Sequence, residues 1–139
     1  MQVVFEKVEG GKLPTYAHDD DACMDLYART GRAIKPGEVV LIPAGFKVAG
    51  PDNHAMFIYS RSGLALQRLV VNNAPGVIDP GYRGEVKVQI RNDDIDDLWI
   101  VEGERIAQAA IQETPHVTIV EGTLDATERG EGGFGSTGQ

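Results

Sequence analysis

Apolar and polar residues alternate most cleanly over residues 85–91, EVKVQIR, where Val86, Val88 and Ile90 are separated by charged or polar side chains. Successive side chains of a strand point to opposite faces, so this run predicts a strand with one buried face. Shorter runs of the same kind are VVFEKV (3–8), EVVLIP (38–43), HAMFIYS (54–60), LWIV (98–101) and VTIV (117–120). Between them stand turn-forming clusters of Gly, Pro, Asn and Asp, such as KPGE, AGPDN and DPGYRG. Nowhere do apolar residues recur at helical spacing for long. Only RSGLALQR (61–68) predicts a short helix, with Ser62 as its N-cap. Short strands at this spacing predict an all-β sandwich or jelly roll with at most one short helix.

Beyond about Ile111 the pattern changes. The segment QETPHVTIVEGTLDATERGEGG holds one strand-like run within polar linker. The sequence given ends on ERGEGGFGSTGQ, where Gly130, Gly132, Gly133, Gly135 and Gly138 surround a single aromatic, Phe134. Glycine loses the most backbone freedom on ordering, so this tail is expected to be mobile until something binds it. The expected organisation is a jelly-roll domain over 1–112 and an arm over 113–139 that can reach away from its own core.

Composition narrows the partners. The 139 residues suit one domain with one core. Thirteen Lys and Arg against 21 Asp and Glu leave a formal charge of −8, which disfavours a polynucleotide or an anionic membrane surface. Cys23 is the only cysteine, which excludes an intrachain disulfide. MQVVFEKVEG lacks the regions of a signal peptide, and no apolar run reaches the ~18 residues of a membrane helix. The expected setting is therefore intracellular and cytoplasmic. His18, His54 and His116 are widely separated, so no dedicated zinc or redox site is legible. Any metal is expected to be a hard one carried by phosphates, such as Mg²⁺.

Candidate chemistry sits in four places. APGVIDPGYRGEVKV puts Asp79 between two strand-like segments, either bonding its own turn or acting as a general base on a hairpin held by the strands on either side. Tyr82 is an ordinary hairpin aromatic or a ring laid against a ligand. YSRSGLA offers the Arg61 side chain, the Ser62 hydroxyl and the N–H groups of Ser62 and Gly63 to an anion. In DACMDLYA, Asp21 and Asp25 are solvated loop acids or carboxylates near a cation. The tail joins Arg129, a backbone able to wrap phosphate oxygens, and Phe134, able to cover a base.

Taken in order, DACMDLYA, RSGLA, NNAPGVIDPGYRGEV, GERIAQ and RGEGGFGSTG resemble the five motifs of the trimeric dUTPases, at similar spacing across residues 21–138. The resemblance implies hydrolysis of dUTP to dUMP and pyrophosphate, and a β jelly roll in a homotrimer with swapped C-terminal arms. It implies sites built between subunits, with the first, second and fourth motifs from one chain, the third from a neighbour and the fifth from the remaining chain.

Carried over residue by residue, the resemblance makes Asp79 the group that orients and deprotonates the attacking water. Tyr82 would exclude a 2′-hydroxyl, while Asn73 and backbone near Gly76 would pair with the uracil edge. Asp25 would hold water ligands of a Mg²⁺ bridging the phosphates, with Gln108 near the α-phosphate. Arg61, Ser62 and Gly63 would bind phosphate oxygens. Arg129, Gly135, Ser136 and Thr137 would close on the γ-phosphate while Phe134 stacks on uracil.

Three departures from the family pattern stand out: Cys23-Met24 in place of Gly-aromatic, Ser60 in place of a proline before RSG, and the connection LQRLVVNN. None removes a reacting group. The alternatives are a dCTP deaminase, which shares the jelly roll but uses a glutamate in a differently written hairpin and lacks the glycine tail, and a dUTPase-fold module kept for nucleotide sensing or protein binding.

Overall fold

A computed structural model describes residues 1–136 and 138. Its elements in chain order are β1 (Val4–Lys7), β2 (Met24–Tyr27), β3 (Arg32–Ile34), β4 (Val39–Pro43), β5 (Phe46–Ala49) and β6 (His54–Tyr59). They continue with α1 (Ser62–Leu66), β7 (Leu69–Val71), β8 (Gly76–Ile78), β9 (Lys87–Asn92), β10 (Leu98–Ile100) and β11 (Arg105–Glu113). The fold is the expected β jelly roll with one small helix. All strand pairings are antiparallel. One sheet runs β2-β11-β6-β8 and another β4-β9-β7, while β1 pairs with β5 and β10 with β3.

Alternation decides which side chains meet in the middle. Val40 and Ile42 on β4, with Val88 and Ile90 on β9, point inward, whereas Val39 and Leu41 face out. They pack in one core with Met24 and Leu26 of β2, Met56 and Ile58 of β6, and Ile106, Ala107 and Ala109 of β11. Each large apolar side chain so buried contributes roughly 1.5–3 kcal/mol. The one buried polar residue among those described, Asn92, donates from Nδ2 to the carbonyls of Ile34 and Asp96 at 2.8 Å and accepts from the Asp94 amide at 2.7 Å. Its hydrogen-bonding groups are thereby satisfied and its burial tolerated.

Several local expectations need correction. Residues 117–120 form no strand; Val117, Ile119 and Val120 are exposed along an arm without regular structure. Alternation marks a face that can be buried, but nothing in this chain covers that face. The longest strand, β11, carried no alternation signal, because its alanines are weak strand formers and a register shift between Arg105 and Ala107 breaks the period. The N-cap of α1 is Arg61, in an extended conformation with no side-chain capping bond, and Ser62 is already the first helical residue.

The largest correction concerns the presumed hairpin around Asp79. β8 pairs with β6, and β9 pairs with β4 and β7, so β8 and β9 do not pair with each other. Residues 79–86 are a crossover from one sheet to the other.

Candidate active site

The crossover presents Asp79 and Tyr82 at the surface. Both are exposed, and with Val77, Ile78 and Lys87 they line an open cleft of about 200 Å³. The bond that closes the turn runs from the Tyr82 amide to the Asp79 carbonyl at 3.1 Å. The turn is therefore closed by Asp79's backbone carbonyl rather than by its carboxylate. Tyr82 folds back so that its hydroxyl donates to the Glu85 carbonyl at 3.1 Å. A β-carbon on Gly84 would collide with that hydroxyl, so the Tyr82 ring keeps this position only beside a glycine. Gly76 is buried at the start of β8, with the Asn73 side chain beside it and Asn73 itself exposed.

A second cleft, of about 340 Å³, opens where β2, α1 and β11 meet. Asp25, Arg61, Ser62, Arg105 and Gln108 line it together with Cys23. The Arg61 Nε donates to Asp25 Oδ1 at 3.0 Å, and Arg105 Nη1 stands 3.5 Å from Asp25 Oδ2. One mostly buried carboxylate thus holds two guanidinium groups at the cleft, a donor set suited to phosphate oxygens. Gln108 donates from Nε2 to the Ser60 carbonyl at 2.9 Å. Ser60 Oγ accepts from the Val71 amide at 2.9 Å, so this serine fixes the turn before α1 by a hydrogen bond where a proline would do so by its ring. Gly63 borders open space.

Asp21 has a local job. It accepts from the His18 amide at 2.8 Å and approaches the His18 ring at 3.4 Å. Partial burial, and next the Asp25 carboxylate, push the Cys23 thiol up, which keeps it protonated near neutrality. Among the described residues no group of three His, Cys, Asp or Glu side chains could hold a metal. A hard cation brought by phosphates, with water between it and Asp25, fits this donor set; a protein cage does not.

Among the described residues the tail's bonds are local, such as Arg129 Nε to the Gly132 carbonyl at 2.7 Å and the Gly133 amide to Ser136 Oγ at 2.9 Å. Phe134 is fully exposed, and Phe134 and Gly135 both have positive φ. Thr137 lies outside the described residues. Among the described residues the two clefts share no lining residue, and neither is lined by the tail.

Arg105, inside GERIAQ beside Gln108, lines the Asp25 cleft although nothing in the sequence pattern singles it out. Nor does the pattern single out Arg29 and Glu85, whose bidentate ion pair at 2.7 and 2.8 Å has no local sequence signature.

The dUTPase family model matches residues 9–138. The chain belongs to the dUTPase family. Among curated dUTPase relatives, the deoxyuridine 5′-triphosphate nucleotidohydrolase of Rickettsia bellii (strain OSU 85-389) is 46% identical, over 99% of this chain and 95% of that protein. The enzyme of the same name from Clostridium tetani is 44% identical, over 94% and 92% respectively. Among solved structures, the Staphylococcus bacteriophage 80alpha dUTPase with dUPNHPP superposes with a TM-score of 0.88 at 27% identity, covering 99% of both chains. No helix among the described residues is long and apolar enough to cross a membrane.

Proposed function

We propose that this chain hydrolyses dUTP to dUMP and pyrophosphate, in sites that three copies of the chain complete together. One observation carries the reading. A single protomer holds two half-sites with complementary chemistry, a carboxylate with an aromatic ring in one cleft and paired guanidinium groups with a hydroxyl and an amide in the other, and they share no wall. Apposition of the first from one copy with the second from another gives one complete phosphoryl-transfer site, and residues 113–139 are long enough to serve as the arm that closes it.

In that site Asp79 accepts a proton from a water molecule as its oxygen attacks the α-phosphorus. The bond from that phosphorus to its bridging oxygen breaks, and pyrophosphate leaves. Tyr82 lies against the deoxyribose and leaves no room for a 2′-hydroxyl. Asn73 and backbone near Gly76 meet the uracil edge, so that cytosine would leave polar groups unpaired. Arg61, Ser62 and Gly63 hold phosphate oxygens, with Gln108 near the α-phosphate. Arg129, Gly135, Ser136 and Thr137 close on the γ-phosphate as Phe134 covers the base. Asp25 would hold, through water, a Mg²⁺ brought by the phosphates, and that ion would supply neutralisation of phosphate charge. The reaction removes dUTP as a source of uracil in DNA and yields dUMP for thymidylate synthesis, a setting consistent with the cytoplasm.

Pyrophosphate release from dUTP, with dCTP, dTTP and UTP alongside, tests the reading. Metal-dependent turnover confined to dUTP is expected. Ammonia from dCTP would move the chain to the deaminases, and dUTP binding without turnover would make it a sensing module.

A further inference from the structure

The crossover 79–86 carries both groups that act on the substrate's α-phosphorus and sugar, yet it lacks the cross-strand ladder of a hairpin. Its internal bonds cannot locate it. The Tyr82 amide bonds the Asp79 carbonyl, and Arg83 Nη1 donates to the carbonyls of Pro80 and Tyr82 at 2.7 and 3.0 Å, all within the same few residues. Among the side-chain and loop hydrogen bonds of the described residues, the crossover is tied to the rest of the fold at its end alone: the Val86 backbone bonds the Ala44 amide and the Phe46 carbonyl at 2.8 and 2.9 Å, and the only side chain that reaches out is the carboxylate of Glu85.

Glu85 accepts from Arg29 Nε and Nη2 at 2.7 and 2.8 Å and from the Gly45 amide at 3.0 Å. Arg29 is itself fixed, since its amide donates to the Pro43 carbonyl at 2.8 Å. Gly45 has φ of +81°, a conformation that favours glycine in this turn between β4 and β5. Three bonds to two rigid anchors give the side chain, only 14% exposed, a single geometry. That geometry is passed on to Tyr82, whose hydroxyl rests on the Glu85 carbonyl. Asp79 depends on it less, because it directly follows β8, where Ile78 pairs with Met56.

We infer that Glu85, held by Arg29 and Gly45, is a positioning residue that sets the Tyr82 ring and so governs discrimination between deoxyribose and ribose. The inference rests on the reading of Tyr82 as the group that meets the sugar. It separates Glu85 from an ordinary structural ion pair, whose loss would lower the yield of folded protein and the turnover of both sugars alike.

The experiment measures kcat/KM for dUTP and UTP on the full chain and on Glu85→Gln, Arg29→Lys and Tyr82→Ala. Glu85→Gln should lower the dUTP-to-UTP ratio about ten-fold, equivalent to about 1.4 kcal/mol of selectivity, with a smaller change in kcat for dUTP. Arg29→Lys, which keeps the charge but loses the fork, should lower it by a smaller factor. An unchanged ratio in Glu85→Gln, with a ratio collapsed in Tyr82→Ala, would overturn the positioning role alone. An unchanged ratio in Tyr82→Ala would instead overturn the reading of Tyr82 and the inference with it. If Glu85→Gln does not fold, Arg29→Lys decides by the same comparison.

Discussion

Gln108 lies directly opposite Asp25 in the antiparallel register of β11 against β2. Directly opposed residues put their side chains on the same face of a sheet. Two residues from distant parts of the chain therefore share one wall of the phosphate-suited cleft, with Arg61 brought to Asp25 by the start of α1. The Asp25 carboxylate faces two guanidinium groups, and on the proposed function it would bond the waters of a phosphate-borne cation rather than the cation itself.

Asp25→Asn should consequently raise the Mg²⁺ concentration needed for half-maximal dUTP hydrolysis by about 10-fold or more, the usual effect of losing a group that orients metal ligands. Rates measured across a Mg²⁺ titration check this. A half-saturation point unchanged from the parent protein would remove Asp25 from metal handling. Excess chelator should abolish turnover in both proteins.

Asp79→Asn keeps the size of the side chain and removes its basicity. Turnover of dUTP should fall by roughly 10²–10⁴, the range for a lost general base, while a non-hydrolysable dUTP analogue binds with affinity close to that of the parent. Calorimetry beside steady-state rates separates the two quantities. Near-normal turnover in the folded variant would falsify the assignment.

Truncation after Glu128 removes a segment none of whose described residues belongs to the core. The melting temperature should stay within about 2 °C of the parent, since surface changes of this kind usually alter stability by under about 0.5 kcal/mol. Catalytic efficiency should fall about a hundred-fold through lost closure over the substrate. Equal efficiency with and without the tail would exclude it from the mechanism.

Acid should reveal the Glu85 anchor. The Arg29 guanidinium, and to a lesser extent the Gly45 amide, hold the Glu85 carboxyl below the usual glutamate range against the opposing effect of burial. A depressed native pKa means that the unfolded chain takes up this proton first as pH falls. The contribution to stability is full above the ordinary glutamate value and lost as pH drops through the native one. Urea midpoints of the parent and of Glu85→Gln should differ most near neutrality and converge toward the acid limit. A gap that stayed constant with pH would show that the carboxylate charge is not what stabilises the crossover.

The local pattern of the chain carried much of this architecture. Period-two alternation at 85–91 named the inward residues of one central strand, because side-chain direction in a strand is a property of the strand itself, while the apolar runs at 38–43 and 54–60 marked two further strands without saying which of their residues face inward. The ordered motifs named Asp79, Tyr82, Asp25, Arg61, Ser62 and Gln108, residue types whose chemistry is legible wherever they stand. Alternation at 117–120 looked the same, yet Val117, Ile119 and Val120 stay exposed. A pattern records a face that can be buried; only a partner buries it.

What the sequence determined by itself was the β class, the inward face of its clearest strand and the residue types available to a site. Tertiary structure alone decided which strands meet: β8 goes to β6 and β9 to β4 and β7, which turned an expected hairpin into a crossover between sheets. It also decided that Gln108 faces Asp25 and that Glu85 grips Arg29 and Gly45. Side-chain periodicity is local, whereas pairing is settled by how the whole chain can bury its apolar faces at once while leaving no backbone polar group unpaired.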